Sequence, residues 1–332
     1  MASPAPGARN IFEEQARNRR TTWLLIGAFI LFLAFLGFGF DLFVFGYDAS
    51  RPLRRGEVPV PLAATAATLF GGASAWFSYR FGDRAVLASS LARPVTGDDP
   101  GARTLMNVVT EMSIASGLPM PKVYVIDDPD PNAFATGRDP GHASIAVTTG
   151  LLTTMTRDEL QGVIAHEMSH VRNYDIRTMT IIAALVGAVL LLSDWASRFR
   201  IQGRRSQDDE REGGLSGPLG LVVLVVWLVA VALAPIVGQL LAMAVSRNRE
   251  YLADASGAEL TRNPLGLAKA LRKLQAATAP TARIARGRAH LCIDDPLDHS
   301  MNESEGHLAD LFGTHPPIAE RIRRLEQMAY QT

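Results

Sequence analysis

The chain has 332 residues, with 33 Lys plus Arg against 33 Asp plus Glu, and so carries no net charge. Hydrophobic residues make up 48% of it, which excludes intrinsic disorder, since disorder requires low hydrophobicity and high net charge. The balanced charge excludes nucleic-acid binding driven by bulk positive charge, and the single cysteine, Cys292, excludes a disulfide framework and a cysteine-only zinc site.

Charged residues cluster and leave four long uncharged gaps. The first, Trp23 to Phe40, would be about 27 Å long as a helix, close to the hydrocarbon thickness of a bilayer. It is too long for a signal-peptide core and lacks a small-residue cleavage site, so it reads as a retained anchor. Val58 to Tyr79 is the second gap, with Pro59 and Pro61 at its start, where a helix tolerates proline. The pattern predicts a cytoplasmic segment over 1–22 and two transmembrane helices over 23–79. The third gap, Thr178 to Ser193, and the fourth, Gly213 to Ser246, predict two apolar helices within 178–246. These either cross the membrane or form a hairpin lining a protein chamber. Arg9, Arg17, Arg19 and Arg20 before the first span, and Arg80, Arg84 and Arg93 after the second, place the N-terminus in the cytoplasm. Arg198, Arg200, Arg204, Arg205 and Arg211 oppose that bias if there are four spans. In either case a two-span hairpin returns the chain to its starting side, so 80–177 and 247–332 share a compartment.

The part over 80–177 reads as mixed α/β. Leu105, Val108, Val109, Met112 and Ile114 have helical spacing over 104–117, and Pro119 and Pro121 stop that helix. Strands are predicted at 122–127, 132–137 and 144–149, the last ended by Gly150. Thr156 and Glu159 form a capping box, so a helix should begin at Arg157.

That helix carries His166-Glu167-Met168-Ser169-His170, an H-E-x-x-H pattern. Residues four apart share a helical face, so both imidazoles can reach one ion, and Zn²⁺ accepts such nitrogens at about 2.0–2.1 Å. Glu167 is placed to take a proton from a water activated by that ion. Catalytic zinc needs a third protein ligand. No further histidine follows at metzincin spacing, so the ligand must come from elsewhere. Glu250 and Asp254 are four apart in Ser-Arg-Asn-Arg-Glu-Tyr-Leu-Ala-Asp, just beyond the fourth gap. That spacing suits a ligand plus an outer carboxylate that accepts the free N–H of a ligating imidazole. It equally suits a surface acidic pair, and Glu259 is the next candidate ligand.

At these residues the chain resembles the HtpX-like membrane gluzincins, relatives of the CAAX prenyl endoproteases. The resemblance runs through NAFATG at 132–137, SIAVTTGLL at 144–152, HEMSH at 166–170 followed by Asn173 and Asp175, SRNREYLADASGAEL at 246–260 and GTHPPIAERIRRL at 313–325. It implies one Zn²⁺ per chain, held by His166, His170 and Glu250, with Glu167 as catalytic base and Asp254 as outer partner. It also implies that Asn132, Ala133, Phe134, Ala135, Thr136 and Gly137 form an exposed sheet edge that pairs with an extended substrate. Asn132 and His315 would then help to stabilise the oxyanion, and Arg321 would fix the loop carrying His315 or touch the intermediate.

The expected fold is α+β: multi-pass transmembrane helices with a mainly helical gluzincin-type domain carrying a small β-sheet. The catalytic domain is expected in two parts, 80–177 and 247–332. The expected activity is zinc-dependent hydrolysis of peptide bonds in membrane or membrane-associated, misfolded proteins, at the cytoplasmic face of the inner membrane. Its partners would be protein or peptide substrates and the lipid bilayer, with no nucleic acid. A prenyl-protein endoprotease would carry more spans around a chamber; a catalytically silent membrane adaptor would have no need of Glu167.

Overall fold

The computed structural model describes residues 11–43, 45, 47, 60–99, 101–182, 247–277, 292–293 and 316–331. The described residues within Met1–Thr22, Ser78–Ala184 and Leu240–Thr332 form one compact unit, and those within Trp23–Phe77 belong to a second. The third and fourth uncharged gaps and His315 lie outside the described residues, apart from the start of the third gap, where residues 175–182 are helical.

The second unit contains most of helix α1 (Ile11–Phe43) and the first part of α2 (Leu62–Ser89). Within α1 the stretch Gln15–Phe43 reaches a mean hydropathy of 2.4, and among the described residues it is the one helix long and apolar enough to cross a membrane. It exposes Trp23, Leu24, Leu31 and Phe35, side chains that would cost free energy in water but not in lipid. The α2 helix is diluted by Ala, Gly, Thr and Ser. Buried Asp41 of α1 accepts hydrogen bonds from the Ala63 and Ala64 amides at 2.9 and 2.7 Å, capping the start of α2. The uncharged gap ends at Tyr79, yet α2 continues to Ser89, because charge ends hydrophobicity and not helicity. The chain leaves the helix through Leu91 at φ 53°.

The first unit is built around a four-stranded sheet in the order β1-β2-β4-β3. Its strands are β1 (Arg93–Pro94), β2 (Lys122–Ile126), β3 (Ala133–Gly137) and β4 (Ala143–Thr148). β2 and β4 are parallel with Val125 opposite Val147, and β3 returns antiparallel to β4 with Ala135 opposite Ile145. Helix α3 (Ala102–Ser116) closes on Gly117 at φ 68°, a left-handed cap that glycine adopts without a Cβ clash. Gly150, expected to end a strand, instead lies in the short helix α4 (Thr149–Thr154), which the Thr148 side chain caps by accepting from the Leu151 amide.

Helix α5 (Arg157–Arg172) is central. It lies between α3, β3, α6 (Arg247–Thr261) and α7 (Pro264–Ala276), and α8 (Ile318–Gln331) covers α7. One core joins Leu105 and Val109 of α3, Ile145 and Val147 of β4, Val163, Ile164 and Met168 of α5, Leu267 and Leu271 of α7, and Leu325 of α8. The close approach of α5 to α7 depends on Gly162, where a Cβ would fall 2.7 Å from the Leu267 amide nitrogen.

Candidate metal centre and active site

The local sequence starts the site helix where expected. The Thr156 side chain accepts from the Glu159 amide, and the Glu159 carboxylate accepts from the Thr156 amide at 2.7 Å. Lys273 of α7 adds a 2.6 Å ion pair to the same carboxylate. One helical turn then separates His166 from His170, and both are buried.

Helix α6 brings the third donor. Gly257 eases this approach, since a methyl group there would lie 3.1 Å from the His166 amide nitrogen, a tight contact. Glu250 Oε2 is 3.6 Å from His166 Nε2, Glu250 Oε1 is 3.6 Å from His170 Nε2, and the two Nε2 atoms are 3.2 Å apart. A tetrahedral ion with bonds of about 2.0–2.1 Å keeps its donors roughly 3.3 Å apart. The two Nε2 atoms and the Glu250 carboxylate, which turns one oxygen toward each imidazole, are therefore grouped closely enough to hold one small ion, with one ligand atom from each residue within 4.8 Å of the others. Glu259, the alternative ligand, is exposed on the same helix.

The outer atoms of both rings support the same reading. His166 Nδ1 is 3.0 Å from Asp254 Oδ1, and His170 Nδ1 is 3.1 Å from Asp175 Oδ2. A carboxylate only accepts, so each Nδ1 donates its proton outward and each Nε2 lone pair faces the other donors. Arg321, wholly buried, holds Asp254 with two parallel hydrogen bonds of 2.9 and 2.8 Å and donates to the Ile293 carbonyl at 3.0 Å.

Burial dominates the electrostatics, and the neighbours decide its outcome. It pushes the His166 imidazole down, but hydrogen bonds to Asp254 and Glu250 reverse this and hold it at about 9 when no ion is present. An ion at Nε2 takes the place of that proton. Burial pushes the Asp254 carboxyl up, and the Arg321 guanidinium with the His166 ring brings it below the ordinary carboxylate range. For Glu167 burial wins: its carboxyl is raised, against the charges of His166 and His170 and a hydrogen bond from the Ala135 amide. A carboxylate raised in this way is a better proton acceptor.

A family model described as Peptidase family M48 matches residues 101–329. The chain belongs to peptidase family M48. It is an HtpX-like metalloendopeptidase. Among its relatives, a "Protease HtpX homolog" of Caldanaerobacter subterraneus subsp. tengcongensis is 42% identical over 323 residues, covering 96% of this chain and 98% of that protein. Another from Tropheryma whipplei strain TW08/27 is 43% identical, covering 95% and 98%, and one from Streptococcus thermophilus is 42% identical, covering 96% and 100%. Among solved structures, the crystal structure of S. mikatae Ste24p is similar at 20% identity with a TM-score of 0.47, covering 95% of this chain and 66% of that one.

Other expectations for this M48 chain fare differently. Residues 133–137 are the edge strand of the sheet and lie against α5. They are not exposed, however: all five are buried, and Cys292 and Ile293 pair along the outer edge, with a bridge from Phe134 to Cys292 and a 3.0 Å bond from the Ile293 amide to the Ala133 carbonyl. An edge strand with apolar side chains on both faces attracts a covering segment, and 292–293 supplies one. Asn132 precedes β3 and is buried; its amide oxygen accepts from the Ala133 N–H at 2.9 Å.

Sequence reasoning assigned no role to Asp175. Five residues after His170 is not a same-face spacing on a continuous helix. The structure meets it by breaking the helix at Asn173 and Tyr174, the latter at φ 61°. A turn-forming Asn directly after the motif was the available signal.

Proposed function

We propose that this chain is a membrane-anchored, multi-pass zinc endopeptidase, with its active site at the cytoplasmic face of the inner membrane and misfolded membrane or membrane-associated proteins as substrates. The observation that carries the reading is the buried cluster of His166, His170 and Glu250, each offering one ligand atom within 4.8 Å of the others, with Glu167 next to His166 in the chain. The apolar length of α1 and the placement of Arg17, Arg19 and Arg20 support the membrane part.

Bound by those three residues, zinc supplies Lewis-acid activation of the attacking water and of the scissile carbonyl. The remaining steps belong to the protein. Glu167 takes a proton from the water on a carboxylate oxygen and returns it to the departing amine nitrogen, so the base is regenerated. Asp254 and Asp175 keep the proton of each imidazole on Nδ1. Asn132 and His315 donate hydrogen bonds to the developing oxyanion, and Arg321 keeps Asp254 ionised and in place. β3 remains the element against which an extended peptide aligns, over the part that 292–293 leaves uncovered.

The test is Glu167→Gln in detergent-purified protein, with zinc measured by metal analysis and cleavage measured on casein. Full zinc content with cleavage lost is expected. Unimpaired cleavage, or equal loss of zinc and cleavage, would remove Glu167 from the role of base.

A further inference from the structure

The support behind His170 continues past Asp175 into α1. Asn18, 2% exposed, donates from Nδ2 to Asp175 Oδ1 at 2.7 Å and to the Asn173 carbonyl at 2.9 Å. Both partners only accept, so the amide orientation is settled and both of its hydrogens are used. Asp175 is 1% exposed, and its other oxygen faces His170 Nδ1. Asn18 therefore grips both sides of the break at Asn173 and Tyr174, the feature that turns Asp175 back beneath His170. Tyr174 is held left-handed, at φ 61°, a conformation unfavourable for a residue with a side chain, and the Asn18 bonds clamp the break there. Neighbouring residues on the same face of α1 dock the helix: Gln15 Nε2 donates to the Arg172 carbonyl at 2.8 Å, and the Thr22 and Thr178 hydroxyls pair at 2.9 Å. Among these described α1 residues it is Asn18 that reaches the carboxylate orienting a proposed ligand, and Arg249 Nη1 approaches the same oxygen of Asp175 at 3.6 Å.

We propose that Asn18 is a positioning residue of the metal centre: through Asp175 it fixes the orientation of His170, so the helix read as a membrane anchor also sets the affinity for the metal. This rests on the zinc-peptidase reading above.

The experiment uses full-length protein in detergent. Zinc affinity is measured by competition with a chelating dye, and thermal unfolding of the chelator-treated protein is measured in parallel. Asn18→Ala should weaken zinc binding by about tenfold, the lower end of what loss of an outer partner produces. Thr22→Val, which loses a docking contact of α1 but none to Asp175, should lower the metal-free Tm and leave zinc affinity within about twofold. In an Asp175→Ala background, Asn18→Ala should weaken zinc binding no further, because the two residues act in series. If Asn18→Ala does not fold, Asn18→Ser, which keeps one donor, is measured instead and should fall between wild type and Asp175→Ala. Wild-type zinc affinity in the Asn18 variant, equal loss in Thr22→Val, or additive losses in the double variant would each overturn the proposal. A wild-type protein that binds no zinc would overturn the peptidase reading itself.

Discussion

His166 and His170 stand one turn apart on one helix, and each donates Nδ1–H to a buried carboxylate, yet those carboxylates are held differently. Asp254, behind His166, is clamped by two charge-assisted bonds from Arg321, a fully buried cation from the last helix. Asp175, behind His170, receives its shortest bond from a neutral amide of the first helix, with Arg249 Nη1 at 3.6 Å. The first half of the site is thus a buried ion pair whose partners depend on each other. The second half is a hydrogen-bonded turn with a looser buried ion pair to Arg249. Equivalent positions around one ion therefore differ in how tightly a buried cation is engaged: Arg321 makes two hydrogen bonds to Asp254, whereas Arg249 stands off Asp175 at 3.6 Å and the neutral Asn18 amide makes the short bond.

The largest effect should come from removing the two carboxylates in turn. Asp254→Ala removes both short hydrogen bonds of buried Arg321, leaving the Glu250 carboxylate at 3.8 Å, and should lower stability by about 3–5 kcal/mol. Asp175→Ala leaves an amide and an imidazole donor unpaired and removes only the looser 3.6 Å contact of Arg249, and should lower it less, by about 1–3 kcal/mol. Both should weaken zinc binding by roughly 10–100-fold. Urea unfolding of the two metal-free variants compares them, and equal losses would break the contrast between the halves.

The next effect depends on pH. In the metal-free protein His166 is held at about 9, above the ordinary histidine value of about 6.5. The stability this contributes is fully present below about 6.5 and is lost as pH rises through about 9. The Tm of chelator-treated wild type should therefore fall across that window. Asp254→Ala removes the strongest upward influence on His166, so the fall should shrink. With zinc bound the imidazole is already neutral, and the slope should disappear. A wild-type Tm that rises over the same interval would contradict the ion-pair account of this half.

The smallest effect is a control. Thr156→Ala removes the cap of the helix that carries both histidines and should cost about 1 kcal/mol. It should act on both halves alike, leaving the difference between the Asp254 and Asp175 variants unchanged in the same unfolding assay.

Much of the catalytic unit was legible in the sequence, because its signals are local. The capping box, the i, i+4 histidines, the i, i+4 Glu250 and Asp254 and the three main strands each occupy a few neighbouring residues. What was not legible depends on long-range contact. Burial of β3 comes from Cys292 and Ile293, over 150 positions away in the chain. The role of Asp175 depends on a broken helix, and that of Asn18 on α1 docking against the break. The end of α2 was missed because hydropathy marks where apolar residues stop, and the helix continues through Arg80, Asp83 and Arg84 to Ser89.

Gly257 sets one further property of the active site. Without a side chain there, main chain lies against main chain where α6 meets α5 at His166. The distance between the two helices that offer the donor atoms is therefore a length defined by backbone, with no side chain acting as spacer. Changes among the apolar residues around them alter how firmly the helices are held but have little purchase on how far apart they stand. A side chain at Gly257 would therefore press on the backbone of a proposed ligand, and any shift it forced would be felt directly at the donor atoms.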